Sequence, residues 1–122
     1  MSLFHKRRHE AELITAPDGC RLRELVHPER DAAEVPYSLA EASIEPGEST
    51  ENHRLLEEDE LYYFVLGRGQ LIVNGERHAV SEGDSILVPR GAAQKLVNDG
   101  AATLRWLNIV SPPWRREHDA PA

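Results

Sequence analysis

Residues 47–67 read GESTENHRLLEEDELYYFVLG, and residues 83–98 read GDSILVPRGAAQKLVN. The first segment holds His53 and Glu60 between two glycines, and the second places Gln94 shortly after a Pro-Arg-Gly turn. Between the two segments, Asn74-Gly75 is the strongest short hairpin signal in the chain. An imidazole, a carboxylate and an amide therefore lie in a strand-rich region with closely spaced turns.

Short runs of strand-forming residues, each followed by a turn, occupy most of the chain after residue 19. Residues 20–27 alternate in polarity and predict a half-buried edge strand, and residues 60–66 predict a strand rich in aromatic residues. Further strands are predicted at 37–44, 70–73, 78–80, 85–88, 94–97 and 103–110. Because helical periodicity is lacking, the pattern predicts an all-β antiparallel sandwich or barrel.

The two segments resemble the two-part signature of the cupin superfamily. In that signature Gly, His-x-His, Glu and Gly are followed by a second block of Gly, Pro-x-Gly, His and Asn. The matching positions here are Gly47, His53, Glu60, Gly67, Gly83, Pro89, Gly91 and Asn98. Leu55 and Gln94 stand where the family has two further histidines. The resemblance implies a double-stranded β-helix, that is, a jelly-roll cupin barrel, of the short single-domain type with a degenerate metal motif.

Turn signals and the resemblance divide the chain into three parts. Residues 1–19 are predicted to be an N-terminal extension that ends in the turn Ala16-Pro-Asp-Gly19. Residues 20–114 are predicted to form the single barrel domain, closed by Trp114 packing against the barrel wall. Residues 115–122 form a C-terminal tail, and we expect the end after Arg115 to be mobile.

Side chains along a strand alternate between its two faces, so the motif residues predict which neighbours face the barrel interior. If Glu60 points inward, so do Tyr62, Phe64 and Leu66. Gln94 shares its face with Leu96, and His53 shares its face with Leu55. Trp106 and Asn108 are expected to line the opposite wall. The predicted pocket therefore comprises His53, Leu55, Glu60, Tyr62, Phe64, Gln94, Leu96, Trp106 and Asn108.

A divalent metal is implied by the resemblance, because family members with the full motif bind one through three imidazoles and a carboxylate. His53 and Glu60 carry over directly, and Gln94 could add its amide oxygen as a third ligand. That oxygen is a weaker donor than imidazole, and Leu55 cannot bind metal at all. Such a set would accept zinc, manganese, iron or nickel without strong selection. Without metal, His53 and Glu60 could instead form an ion pair that orders the pocket.

Two functions stay open at this point. One is an enzyme in which Glu60 and His53 act as catalytic residues on a small molecule, with or without metal. The alternative is a non-catalytic cupin that binds or senses a metabolite through the same residues. The polar groups predicted inside the barrel argue against a purely structural role.

Composition limits the partners and the location. The 122 residues carry a formal charge of −7 and no basic stripe with interleaved aromatics, so nucleic acid is not an expected partner. No apolar run has membrane or signal-peptide length, and the single cysteine, Cys20, cannot form an internal disulfide, so a cytoplasmic location is expected. We expect a homodimer formed through sheet edges. The acidic residues 57–59 are predicted to form a solvated turn, His78 to lie on the surface, and His27 and His118 to lie in loops.

Overall fold

Strand-forming runs separated by turns produce eleven strands in the computed structural model, which describes residues 3–122. Two short 3₁₀ turns, Arg8–Glu10 and Arg116–His118, accompany them. The strands are β1 Leu13–Thr15, β2 Arg21–Val26, β3 Ser38–Ile44, β4 His53–Leu55, β5 Asp59–Leu66, β6 Arg68–Val73, β7 Glu76–Ser81, β8 Ser85–Val88, β9 Gln94–Val97, β10 Leu104–Ser111 and β11 Asp119–Pro121. Residues 3–122 contain no helix with the length and apolarity that a membrane crossing requires.

The strands form two antiparallel sheets. The first has the order β1-β2-β3-β10-β5-β8, and the second has the order β11-β4-β9-β6-β7. Consecutive neighbours such as β3 and β10 are far apart in sequence, as expected when a chain winds between two facing sheets. The predicted all-β jelly roll is confirmed.

Alternation along the inner strands produces the core. In β10 every second residue is buried, from Leu104 to Val110, and the aromatic rings of Tyr62, Phe64 and Trp106 lie with their centroids 5.9 to 6.4 Å apart. The prediction for Leu66 is wrong, since its side chain is 37% exposed. The pairing of β5 with β10 shifts register at Arg105/Trp106, and this irregularity ends the alternation before Leu66.

The motif glycine Gly67 is required by geometry at the turn into β6. Its φ is +83°, and a Cβ at this position would lie 2.4 Å from the carbonyl oxygen of Thr103. Asn98 caps the neighbouring backbone, because its Nδ2 donates to the carbonyl oxygens of Ile44 and Ala102. These motif residues shape the turns that hold the site.

The free edges of the sheets lie elsewhere than the sequence predicted. Residues 20–27 do not form an edge strand, because β1 pairs along β2 from Leu13 opposite Arg23 to Thr15 opposite Arg21. The edges of the first sheet are β1 and β8, and Leu87 of β8 is 62% exposed. The homodimer through sheet edges stays a prediction.

The C-terminal segment, residues 114–122, pairs with the barrel, so the prediction of a mobile end after Arg115 is wrong. Strand β11 pairs antiparallel with β4, which places Asp119 opposite Leu55 and Pro121 opposite His53. Trp114 is half-buried, and its backbone N–H donates to Ser38 Oγ at 2.9 Å. Ladder hydrogen bonds satisfy backbone groups that a free tail would leave to water.

Candidate functional site

A cavity of about 340 Å³ lies between the β1–β2 turn, the first sheet and the C-terminal segment. Most of its wall is apolar, and among its polar side chains Asp18 and Asp119 lie beside His53 and Asn108 lies beside Glu60. The lining residues are Ile14, Ala16, Pro17, Asp18, Cys20, Leu22, Glu24, Arg30, Ser38, Ala40, His53, Leu55, Glu60, Asn108, Val110, Trp114, Arg116 and Asp119. A few polar groups in a mostly apolar cavity are typical of small-molecule sites.

Glu60 lies on β5 and is only 7% exposed. Its Oε2 accepts a hydrogen bond of 2.6 Å from Asn108 Nδ2, and Asn108 Oδ1 accepts one of 2.8 Å from Trp106 Nε1. Its Oε1 makes no hydrogen bond of good geometry with any residue in the range 3–122. A buried carboxylate oxygen without a partner is costly, so Glu60 retains the capacity to hold a proton or a ligand.

The environment raises the pKa of Glu60 to about 7 from its ordinary value of 4.5. Burial is the main cause, because it penalises the charged form. The imidazole of His53 opposes this rise, the negative charges of Asp18 and Asp119 add to it, and the nearby Gln94 amide lowers the pKa a little. The carboxyl group can therefore donate or accept a proton near neutral pH.

His53 lies on β4 directly opposite Gln94 on β9. Its Nδ1 is 2.8 Å from Asp119 Oδ1, and its Nε2 is 3.5 Å from Asp18 Oδ2. Burial is the largest single influence on the His53 pKa and lowers it. The hydrogen bond to Asp119 and the charges of Glu60, Asp119 and Asp18 outweigh burial, so the pKa of His53 is raised.

The ligand atoms predicted for Gln94 and His53 are engaged with protein groups, and among residues 3–122 only Glu60 of the three predicted ligands retains an oxygen without a hydrogen-bond partner. The Tyr62 hydroxyl donates to Gln94 Oε1, and both ring nitrogens of His53 face carboxylates. Within the described residues, no group of three His, Cys, Asp or Glu side chains is arranged to hold a metal ion. The residues present therefore do not fit a metal centre in this arrangement, and metal binding through His53, Glu60 and Gln94 stays a prediction.

Comparison with known proteins agrees with the fold and the motif. Residues 40–110 match the model of the cupin domain family. The chain belongs to the cupin domain family. It is 36% identical over 100 residues to the uncharacterised protein MJ1618 of Methanocaldococcus jannaschii, which covers 82% of this chain and 79% of the relative.

Solved structures extend this likeness to the whole cupin barrel. A predicted oxalate decarboxylase from Thermotoga maritima superposes with a TM-score of 0.75 at 26% identity, covering 87% of this chain and 96% of that one. Streptomyces PAC13 with uridine has a TM-score of 0.81 at 18% identity, covering all of this chain and 92% of that one. At that identity the second likeness concerns the fold alone.

The predicted site residues separate into two layers of the cupin barrel. His53, Leu55, Glu60 and Asn108 line the cavity. Behind them, Tyr62, Phe64, Leu96 and Trp106 belong to the hydrophobic core, and Gln94 is buried beside Tyr62. A hydrogen bond from Trp106 of this core layer to Asn108 helps to hold Asn108 in place at the cavity wall. The catalytic and pocket roles of these residues stay predictions.

Two acidic residues of the cupin site were missed from the sequence. Asp18 lies in the β1–β2 turn, where its Oδ1 accepts the backbone N–H of Cys20 at 3.1 Å, and Asp119 lies in β11. Both occur outside the motif, in segments whose sequence predicts a turn and a tail. The Pro-Asp-Gly sequence was the one local signal that marked Asp18.

The acidic run 57–59, which leads into β5, is not wholly solvated, and this corrects the prediction for Glu58. Its side chain is buried, 2% exposed, and its Oε2 lies 2.5 Å from His118 Nδ1. His27 is also fully buried, with Nε2 2.8 Å from the carbonyl oxygen of Trp114. Both histidines anchor the C-terminal segment. His78 is exposed, as predicted.

Proposed function

We propose that this cupin catalyses proton transfer on a small, uncharged organic molecule through Glu60 and His53, without a metal. The observation that carries the proposal is the Glu60 carboxyl group, which lines the cavity, has an oxygen without a hydrogen-bond partner among residues 3–122 and has a pKa raised to about 7. A group with a pKa near the working pH is the most effective general acid or base. Perturbed titratable groups in a cavity are also typical of functional sites.

The charges around the cavity favour an uncharged ligand. Asp18, Glu60 and Asp119 gather around the single imidazole of His53, so an anion would be repelled at the polar end. Two exposed arginines, Arg30 and Arg116, also line the cavity, and Arg30 is held by Glu24 at 2.5 and 2.8 Å. The three carboxyl groups around His53 therefore still outnumber His53 and Arg116. The apolar wall accepts a hydrocarbon face of the ligand, and the volume lies at the small end of the range for ligand pockets.

In the proposed reaction the ligand loses one proton from a carbon atom and gains one proton on an oxygen atom. The Glu60 carboxylate removes a proton from a carbon next to a carbonyl group, and the His53 imidazolium returns a proton to an oxygen through Nε2. The number of protons on the two residues together is unchanged, so the net reaction is an isomerisation, or an elimination of water when the protonated oxygen leaves. Positioned acid–base groups of this kind contribute about 10²–10⁴ in rate.

The Thermotoga maritima relative suggests oxalate as a competing ligand. Oxalate carries two negative charges, and the polar end of this cavity is already acidic. We therefore expect oxalate to bind more weakly than an uncharged hydroxyketone. Uridine is likewise uncharged, and it serves as a second neutral probe.

The experiment follows binding and proton exchange separately. Hydroxyketones of increasing size, from dihydroxyacetone to hydroxycyclohexanone, are titrated together with uridine and oxalate by NMR, and deuterium uptake at carbon is followed in D₂O. We expect wild type to bind neutral probes and to accelerate the uptake of deuterium into a bound hydroxyketone. Glu60→Gln should abolish the acceleration, whereas Glu76→Gln, an exposed change beside the hairpin, should retain it.

Two results would count against the proposal. Equal exchange rates with wild type and Glu60→Gln would overturn the catalytic role of the carboxyl group. If neutral probes bind both proteins and neither accelerates exchange, the non-catalytic metabolite-binding cupin becomes the better interpretation.

A further inference from the structure

The C-terminal segment forms one wall of the cavity, and several contacts hold it there. Strand β11 pairs with β4, and the Leu56 N–H donates to the carbonyl oxygen of His118 at 2.9 Å. His118 also contacts the buried Glu58, as described above. The wall formed by residues 114–119 is therefore fixed at both ends of the segment and between them.

At the centre of this wall, Asp119 uses both of its oxygens. Oδ1 lies 2.8 Å from His53 Nδ1, and Oδ2 accepts a hydrogen bond of 3.0 Å from Trp114 Nε1. The Asp119 side chain is 8% exposed, so few water molecules compete for these bonds. An indole N–H is a donor only, which leaves the carboxylate as the acceptor on that side.

The same geometry decides which nitrogen of His53 carries a proton in the neutral ring. A carboxylate accepts but cannot donate, so the nitrogen facing Asp119 is Nδ1–H. The remaining nitrogen, Nε2, is then the one that exchanges a proton with a ligand in the cavity. Asp18 is on that side at 3.5 Å, at the outer limit of a hydrogen bond.

We propose that Asp119 is a positioning residue of the site, which holds His53 in the Nδ1–H form and in the orientation that presents Nε2 to the ligand, with Trp114 fixing Asp119 in turn. This inference rests on the proposed function, and it makes the C-terminal strand part of the catalytic apparatus. A strand that only stabilised the fold would need the backbone ladder to β4 but would not need a buried carboxylate facing the imidazole.

Asp119→Asn separates these two roles because asparagine has nearly the same shape. Its Oδ1 can still accept from Trp114 Nε1, while its Nδ2 now donates toward His53 Nδ1. The imidazole must then become an acceptor at Nδ1 and carry its proton on Nε2. Nitrogen-15 NMR of the His53 ring at alkaline pH, where the ring is neutral, distinguishes the two tautomers directly.

We expect the Nδ1–H tautomer in wild type and the Nε2–H tautomer in Asp119→Asn. Glu117→Gln, an exposed change in the same segment, should leave the wild-type tautomer in place. Deuterium uptake into a bound hydroxyketone should fall by about 10² or more in Asp119→Asn, within the range of acid–base contributions. An unchanged tautomer in folded Asp119→Asn overturns the inference.

The remaining outcomes are also decisive. If the tautomer changes but wild type accelerates no exchange, Asp119 positions His53 as inferred and the proposed function is wrong. If Asp119→Asn does not fold, Trp114→Phe removes the indole donor while keeping an aromatic side chain. The inference then predicts faster exchange of the His53 Nδ1 proton with water, and an unchanged rate overturns it.

Discussion

The Glu60 carboxyl group should destabilise the folded protein at alkaline pH, and replacing it with glutamine should relieve this cost. Between the ordinary glutamate pKa of 4.5 and the folded-state value of about 7, the folded protein keeps a proton that the unfolded chain has lost. The free energy of unfolding therefore falls as pH rises through this window. Glu60→Gln removes the titration and retains a carbonyl oxygen that can accept from Asn108.

The shift in the Glu60 pKa sets the size of the effect. One pKa unit corresponds to about 1.4 kcal/mol, so the full shift would amount to about 3 kcal/mol. Because the carboxyl group borders a cavity that water can enter, we expect a gain of about 1–3 kcal/mol for Glu60→Gln at alkaline pH. Near pH 5 the carboxyl group of folded wild type is still protonated and the unfolded chain has only begun to lose its proton, so there the two proteins should differ in stability by less than about 1 kcal/mol.

Urea unfolding followed by tryptophan fluorescence measures this difference at about pH 5 and about pH 8. With the urea dependence typical of small domains, the midpoint of Glu60→Gln should exceed that of wild type by about 1 M at the higher pH. Glu76→Gln is the matched control and should follow wild type at both values. The reasoning is refuted if Glu60→Gln is less stable than wild type at the higher pH, or if the two proteins lose stability equally as pH rises.

Three further predictions concern the turns, the C-terminal anchor and the metal motif. Gly67→Ala should lower the free energy of unfolding by about 2 kcal/mol or more, because it combines a positive φ with a clash against Thr103. Gly75→Ala has a similar φ but open space, so it should cost about 1 kcal/mol, and equal losses in urea would contradict the steric argument. His118→Ala should lower the unfolding free energy by about 1–3 kcal/mol by leaving the buried Glu58 unpaired. His78→Ala should change it by less than about 0.5 kcal/mol, and a similar loss in both would show that the Glu58 contact contributes nothing. Replacing Leu55 and Gln94 together with histidine should raise zinc or manganese affinity by at least about tenfold, or about 1.4 kcal/mol. Calorimetry showing no gain in the folded double mutant would mean that these positions do not converge on one point with His53 and Glu60.

Much of the barrel could be predicted from local pattern. The glycines at the turns require backbone conformations that other residues adopt poorly, and Gly67 shows this most clearly. Alternation placed Glu60, Tyr62 and Phe64 on the buried face of β5 because neighbouring side chains in a strand point in opposite directions. The same rule failed at Leu66, since the register shift against β10 depends on a partner strand that the local sequence does not specify.

The kind of fold, the turns that shape it and the presence of an imidazole and a carboxyl group on its inner strands follow from the amino-acid sequence alone. Only the tertiary structure brought Asp119 to His53, across a separation of 66 residues, and placed Asp18 on the opposite side of the ring. Those positions depend on β11 joining β4 and on the β1–β2 turn contacting the chain before β4, where the Glu51 N–H donates to the carbonyl oxygen of Asp18 at 2.7 Å, and both are contacts between distant segments. Side-chain periodicity reports on one strand at a time, whereas the chemical state of His53 and Glu60 is decided by what the rest of the chain places around them.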